Sequence, residues 1–272
     1  QEVEEVNQRL LPLGLAYGAG LSRGLQPTFF LVELAEIRNQ EELTILILGP
    51  ELARDLDGTP ALTQGSLIYA RQEALAFYLW DHLADPVAQN NDFLKIALSG
   101  YRLSLKGLLR DPGSHEPRFQ EFLAGELEAA IHHEIGEARE PSLRQALPAV
   151  IAAFPQTRAE RWARGLKDAL ADMNEWGRLS YLIETRNLPS LALMMAWRPG
   201  LYPLLMPELD EVCRRVASQG DWGALEEARL AILARLRRTA QGLTALMASR
   251  DPAAAPATLK EIEQQFLAPL GL

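Results

Sequence analysis

One stretch of the chain, residues 125–140, constrains its fold and its chemistry more than any other. It holds two of the four histidines and five carboxylates of the 272-residue chain. On a helix of roughly 100° per residue, its apolar side chains fall on one arc at spacings of three and four, the pattern of a core-facing helix. The residues of this arc are Leu123, Leu127, Ile131, Ile135 and Ala138. We therefore predict a helix over residues 120–140 that buries one face.

Histidine and glutamate side chains lie beside this arc at a spacing that suits a metal ion. His133 and Glu137 are four residues apart, so they share one face of a helix. Imidazole and carboxylate groups are ligands for zinc, iron or manganese. The Glu-x-x-His pairs of helix-bundle di-iron proteins and the His-Glu-x-x-His pattern of zinc proteases do not occur in the chain. A solvated face with intrahelical ion pairs is the first interpretation of this pattern, and metal binding and acid–base chemistry are the alternatives.

Three glutamates project from the apolar faces of predicted helices. Glu134 points into the apolar arc of the central helix, and a buried carboxylate must be paired, protonated or bound to a metal. Glu73 and Glu184 are out of phase in the same way on two other predicted helices. Convergence on an ion would make the candidate metal ligands Glu73, His133, Glu134, Glu137 and Glu184. Three separate ion pairs with arginines are the alternative.

Residues 62–84 are predicted to form the most apolar helix, and a helix that is apolar on most sides is a central one. Arg71, Tyr78 and His82 lie on one line of this helix, at spacings of seven and four. They are candidates for lining a ligand pocket. The alternative is structural: Arg71 pairs with a carboxylate such as Glu134, and His82 is a hydrogen-bonded core histidine.

Charge and cysteine content narrow the classes of partner. The net charge of −9, with no basic cluster to offset it, disfavours nucleic-acid binding. Cys213 is the only cysteine, so no intramolecular disulfide or multi-thiolate zinc site forms, and we interpret it as a packing residue. A single cysteine and the lack of a signal-peptide pattern lead us to expect a cytoplasmic protein.

Residues 188–207 are strongly apolar but are interrupted by Pro199, Gly200 and Pro203. A transmembrane helix needs about 20 uninterrupted apolar residues, so we predict no transmembrane segment. A buried helix and turn is the first interpretation. An exposed surface at Leu191–Met206 that binds a protein partner or a membrane is the alternative.

Periodicity along the whole chain predicts an all-α fold, an irregular helical array or bundle, with at most a small N-terminal β-hairpin at residues 39–42. The longest predicted helices are 2–24, 62–84, 157–185 and 221–248, with 28–37 preferred as helix over strand. Residues 111–117 are predicted to be a loop. They would separate an N-terminal, mostly helical unit (1–110) from a C-terminal helical array (116–272), one continuous domain being the alternative.

The motifs of known catalytic sites are incomplete in this chain. It lacks a Walker loop, a cysteine–histidine signature and a metalloprotease motif. A helical binding or scaffold protein is therefore the first hypothesis. A metal-dependent, Glu/His-ligated helix-bundle enzyme and a small-ligand binder using Arg71, Tyr78 and His82 are the alternatives. A divalent metal is the one cofactor for which the sequence offers candidate ligands.

Overall fold

The computed structural model describes residues 2–21, 27–55, 58–85, 91–144, 146–198, 200–249 and 255–272. The chain divides into two compact units, Gln1–Glu134 and Ile135–Leu272. The division falls within one continuous helix, so each unit holds part of that helix. The predicted all-α fold is wrong, because the first unit contains a five-stranded sheet. The protein is α+β: a curled mixed sheet, or half-barrel, followed by a helical region.

The sheet of the first unit has the strand order β1-β2-β3-β5-β4. Its strands are β1 (Leu15–Leu21), β2 (Pro27–Gln40), β3 (Leu43–Arg54), β4 (Ala61–Gln64) and β5 (Leu67–Arg71). Neighbouring strands are antiparallel except β3 and β5, which are parallel. The turn that we expected at residues 39–42 does connect β2 to β3, with Gln40 opposite Leu43. The predicted hairpin is nevertheless only one part of a five-stranded sheet.

One face of the sheet carries a small apolar core, because alternate residues of a strand point to the same side. Its fully packed members are Ala16, Phe30, Val32, Leu46, Leu48 and Tyr69. Gly18 is paired with Phe30 across β1 and β2, and a Cβ on Gly18 would lie 2.1 Å from the Phe30 ring. Glycine at this position therefore leaves the space that the aromatic ring occupies.

The outer edge of β1 is covered by side-chain amides. Asn7, which is 2% exposed, donates from Nδ2 to the Tyr17 carbonyl at 2.8 Å and accepts the Tyr17 N–H at 2.8 Å. Its Nδ2 also donates to the Tyr69 hydroxyl at 3.0 Å. Gln64 on β4 donates to the Ala19 carbonyl at 3.0 Å. Asn7 thus forms hydrogen bonds with the β1 backbone as a neighbouring strand would. Gln64 connects β4 to β1, the two edge strands of the sheet.

In the sequence, the described helices of the first unit come before and after the strands of the sheet. They are α1 (Glu2–Leu10), α2 (Gln72–Ala84), α3 (Asp92–Gly100), α4 (Leu105–Arg110) and the larger part of α5 (Pro112–Arg139). Helix α5 carries the predicted core stripe, with Leu123, Leu127, Ile131 and Ile135 all buried. It begins at Pro112, so residues 112–117, which we predicted to be a loop, are helical.

The second unit is helical throughout its described residues. After the end of α5 it contains α6 (Ala146–Ala153), α7 (Arg158–Met173), α8 (Arg178–Glu184), α9 (Leu188–Ala196), α10 (Tyr202–Leu205), α11 (Leu209–Gln219), α12 (Trp222–Ala248) and α13 (Ala255–Ile262). The core face of α7 includes Trp162, Leu166 and Leu170, each 0% exposed. This face is the one that apolar periodicity predicts.

The helix predicted over residues 157–185 is broken in two at residues 174–177. Asn174 is fully buried, and its Oδ1 accepts the Trp176 N–H at 3.0 Å. Gly177 follows, and a Cβ there would lie 2.0 Å from the Ala171 carbonyl oxygen. The side chain of Asn174 thus replaces part of the helical hydrogen bonding, and the glycine lets the chain turn tightly against α7.

Two predictions about the apolar segments of the chain can be compared with this fold. Among the described residues, no helix combines the length and apolarity that crossing a membrane requires. Most apolar side chains of Leu191–Met206 are buried, and Leu204, at 41%, is the one large hydrophobic residue of the described part of this segment that is exposed. The segment therefore belongs mainly to the core of the second unit.

Candidate metal centre

Three side chains at the end of α5 and on α7 form a cluster with metal-binding potential. His133 and Glu137 lie one turn apart on α5, and Asp168 lies on α7. One ligand atom from each of the three lies within 4.8 Å of the others, and all three side chains are half-buried. The helix itself holds His133 beside Glu137, while Glu137 and Asp168 belong to the same unit. The sequence predicts two members of this cluster, and Asp168 is the third.

The close approach of α5 to α7 at Gly136 explains why Glu137 and Asp168 lie together. Gly136 precedes Glu137, and a Cβ on Gly136 would lie 2.1 Å from the carbonyl oxygen of Ala171. Asn174 donates from Nδ2 to the Gly136 carbonyl at 2.8 Å. The missing side chain at residue 136 lets the two backbones approach, and the buried amide then holds them in contact.

Lys167 is part of the same cluster. Its Nζ lies 2.5 Å from Oε2 of Glu137 and 3.7 Å from Oδ1 of Asp168. The lysine side chain is 28% exposed and that of Glu137 29%. Both carboxylates are therefore close to an ammonium group that is in contact with solvent.

A buried polar network on α7 begins one turn beyond Asp168. Asp172 is 0% exposed and accepts two hydrogen bonds of 2.5 Å on Oδ2, one from the Tyr202 hydroxyl and one from Arg178. Burial raises the pKa of Tyr202 well above its usual value, and the Asp172 charge raises it further. Tyr202 therefore keeps its proton, and Asp172 connects α7 to α8 and α10.

The end of α5 is held by a second buried carboxylate. Glu140 is fully buried and accepts a 2.8 Å hydrogen bond from Nη2 of Arg237 on α12. The same Arg237 nitrogen lies 2.9 Å from Glu175, and the bond to Glu140 raises the Arg237 pKa. The buried Glu140 carboxylate thus connects the end of α5 to α12 within the second unit.

The remaining predicted metal ligands lie apart from this cluster. Glu134 is 7% exposed, as its position on the apolar arc predicts, and its Oε2 accepts a 2.8 Å hydrogen bond from the Thr63 hydroxyl on β4. Glu73 is exposed and accepts the Glu51 N–H at 2.6 Å. Glu184 is exposed at the end of α8. The one group of potential ligands found among the described residues contains none of these three.

Arg71 lies at the end of β5 and is 2% exposed. It donates to Oε1 of Glu51 at 2.8 Å and to the Thr59 carbonyl at 3.0 Å, and its guanidinium lies 4.5 Å from the centre of the Phe30 ring. Arg71 also lines a cleft of about 260 Å³ together with residues of β1, β2 and β4. The structure thus places Arg71 on a strand, in a buried ion pair.

Tyr78 and His82 lie together on α2. Their ring centroids are 4.0 Å apart, and Nδ1 of His82 lies 2.9 Å from the Tyr78 carbonyl oxygen. The residues that line the cleft at Arg71 include neither of them. Of the three predicted pocket residues, Tyr78 and His82 therefore lie together on α2. Arg71 lies apart from them at the end of β5.

Comparison with models of protein families shows which family the chain belongs to. The model of the family of unknown function DUF6866, C-terminal domain, matches residues 76–265, and that of the N-terminal domain matches residues 1–71. The chain belongs to the DUF6866 family. Searches of curated proteins and of solved structures found no match.

The boundary between the two DUF6866 domains lies where the chain changes from strands to helices. The N-terminal domain ends at residue 71, the last residue of β5, and the C-terminal domain begins within α2. The candidate metal centre of this DUF6866 protein therefore lies entirely within the C-terminal family domain, and the Arg71–Glu51 ion pair lies entirely within the N-terminal one.

Proposed function

We propose that this DUF6866 protein binds a divalent first-row transition metal ion at His133, Glu137 and Asp168. The observation that carries the proposal is the placement of three ligand atoms within 4.8 Å of one another. One imidazole and two carboxylates form a ligand set that zinc, iron(II) and manganese(II) all accept. Zinc is the first ion to test because it binds this mixture of nitrogen and oxygen at well-defined short distances.

The geometry requires a small local adjustment. Metal–ligand bonds of about 2.0–2.2 Å place the ligand atoms of one ion roughly 3–3.5 Å apart, so the three side chains must move slightly inward. They are half-buried and can change rotamer without disturbing the core. The backbone beneath them is already held by the contact between Gly136 and Ala171.

The number of protein ligands favours a reactive metal over a structural one. Structural zinc sites have four protein ligands, whereas catalytic sites have three and leave a position for water or substrate. An ion held by these three side chains would acidify a bound water or polarise a bound carbonyl or phosphoryl oxygen. We therefore propose metal-assisted activation of water as the reaction class, which is the helix-bundle enzyme hypothesis in a more specific form.

The hypothesis of a scaffold protein has less support than metal binding. It rests on the incompleteness of known catalytic motifs, and an exposed apolar surface at Leu191–Met206 would have favoured it. Most of the described apolar side chains of that segment are in the core. The small-ligand hypothesis requires Arg71, Tyr78 and His82 to line one pocket. The Arg71 guanidinium instead donates hydrogen bonds to Glu51 and to the Thr59 carbonyl, and the cleft beside it includes neither Tyr78 nor His82. Neither has an observation comparable to the convergence of three potential ligands.

The test is elemental analysis of protein purified without a histidine tag, followed by zinc titration of chelator-treated protein in a calorimeter. We expect close to one ion per chain in the wild type. We expect loss of the ion in His133→Ala/Glu137→Ala and in Asp168→Asn. The control is His82→Ala/Glu184→Ala, which removes two other residues that the sequence suggested and should keep the ion. A folded wild type that neither contains a metal nor binds zinc would disprove the proposal.

A further inference from the structure

The ammonium group of Lys167 already lies close to both carboxylates of the proposed site and partly neutralises their charge. Its Nζ is 2.5 Å from Glu137 and 3.7 Å from Asp168. A protonated lysine has three hydrogen-bond donors and no acceptor, so it cannot bind the metal ion in this form. An ion that reaches Glu137 must therefore replace the ammonium as the nearest positive charge.

The charges of the cluster show what this replacement involves. Glu137 and Asp168 together carry a formal charge of −2, which a divalent ion would neutralise. Lys167 reduces the formal charge to −1, so a divalent ion bound beside an unmoved Lys167 would give an excess positive charge. Like charges within a few ångströms repel more strongly in a protein than in water. Retention of Lys167 at Glu137 thus opposes metal binding.

The structure also allows Lys167 to move. Its side chain is 28% exposed, and lysine carries its charge on a flexible four-carbon chain. The ammonium can therefore swing into water while α7 stays in place. The ion pair between Arg178 and Asp172 differs from that between Lys167 and Glu137, because the Asp172 carboxylate is fully buried.

We propose that Lys167 is a built-in competing cation, an inference that rests on the proposed metal-binding function. Without a metal ion, Lys167 bridges Glu137 and Asp168 and prevents two half-buried carboxylates from repelling one another. When an ion binds, the ammonium leaves Glu137. Lys167 thereby lowers the affinity of the site and limits occupancy to ions present at sufficient concentration.

The test compares zinc dissociation constants of the wild type and three lysine variants, measured by competition with a chromophoric chelator. Lys167→Met removes the charge and is expected to bind zinc at least about tenfold more tightly. Lys167→Arg keeps the charge and should bind no more tightly than the wild type. Lys260→Met removes an exposed lysine of α13 and should leave the dissociation constant unchanged.

The outcomes separate this inference from the proposed function. Equal affinity of the wild type and Lys167→Met would overturn the role of Lys167 while leaving metal binding intact. Equal tightening in Lys167→Arg and Lys167→Met would also overturn it, because side-chain shape and not charge would then be responsible. Zinc binding by Lys167→Met alone would support the competition and refute metal binding by the natural protein. Absence of binding in all four proteins, each shown to be folded by circular dichroism, would refute both.

Discussion

Gly136 on α5 lies directly against the carbonyl oxygen of Ala171 on α7, because a Cβ added to Gly136 would be 2.1 Å from that oxygen. Glu137 follows Gly136, and Asp168 is one turn before Ala171. The contact between the two backbones is therefore also what brings two ligands of the proposed metal centre together.

Gly136→Ala is expected to destabilise the protein. The added methyl group must push α5 from α7 or distort the backbone, and overpacking of this kind costs about 1–3 kcal/mol. Urea denaturation followed by circular dichroism measures the free energy of unfolding. Gly113→Ala on the same helix is the control, since its Cβ would meet nothing closer than 3.8 Å. Equal stability of the two variants would show that the contact is not tight.

Zinc is expected to stabilise the folded protein through His133 and not through His132. At a free concentration of one hundred times its dissociation constant, a ligand that binds only the folded state adds about 2.7 kcal/mol to the free energy of unfolding. We expect His133→Ala to lose most of this gain. His132→Ala should keep it, because the adjacent histidine is not in the ligand cluster. Thermal denaturation with and without zinc makes the measurement, and loss of the gain in both variants would contradict the assignment.

Glu51→Gln is expected to be among the most damaging single substitutions in the first unit. The Glu51 and Arg71 side chains are 4% and 3% exposed, and removal of one partner leaves a buried charge, at a cost of about 3–5 kcal/mol. The measurement is the free energy of unfolding in urea. Glu51→Leu/Arg71→Met should recover much of the loss, because replacement of both charges removes the uncompensated one.

The control for Glu51→Gln is an exposed ion pair of the same unit. Lys95 and Asp92 are 63% and 72% exposed, and such pairs contribute roughly 0–1 kcal/mol. Lys95→Gln should therefore change the free energy of unfolding very little. A cost of Glu51→Gln no greater than that of Lys95→Gln would mean that water reaches the Arg71 guanidinium.

Cys213 is expected to resist alkylation in the folded protein. Burial raises the pKa of its thiol from 9.0 to about 12, and only the thiolate reacts. At pH 8 the folded protein should react with iodoacetamide on the order of a thousandfold more slowly than the urea-unfolded chain. Mass spectrometry measures the rate. Similar rates in the two states would show that the thiol is accessible.

The same shift predicts how stability changes at alkaline pH. Between pH 9 and about 12 the unfolded chain has lost the thiol proton and the folded protein retains it. The contribution of Cys213 to the free energy of unfolding is therefore complete below pH 9 and falls as the pH rises through this interval. Cys213→Ala should show a shallower decline than the wild type over the same range.

The helices of the second half could be predicted from the sequence, but the sheet could not. Residues 62–84 form one apolar run in the sequence, although 61–64 and 67–71 are strands and 72–84 are helix. A short apolar strand buried on both faces has no polar alternation to distinguish it from a buried helix. Gly18 likewise does not reveal in the sequence that it accommodates the Phe30 ring across a strand pair.

The candidate site could be predicted only as far as one helix extends. His133 and Glu137 share a face because of their spacing, which the sequence shows directly. Asp168 joins them because α5 packs on α7 at Gly136, a tertiary contact that no spacing reveals. Glu184 was placed on the apolar face of a long helix, and the break after α7 removes it from that face.

Asn7 gives the sheet a property that its apolar residues do not. An edge strand offers unpaired N–H and carbonyl groups to any extended chain that meets it, and this is a common route to aggregation. Tyr17 already has both of its groups bonded to one amide side chain, and the Ala19 carbonyl is bonded to another. A strand from a second molecule would have to displace α1 before it could add to β1. The short first helix thus covers the edge of β1 at which another strand could pair.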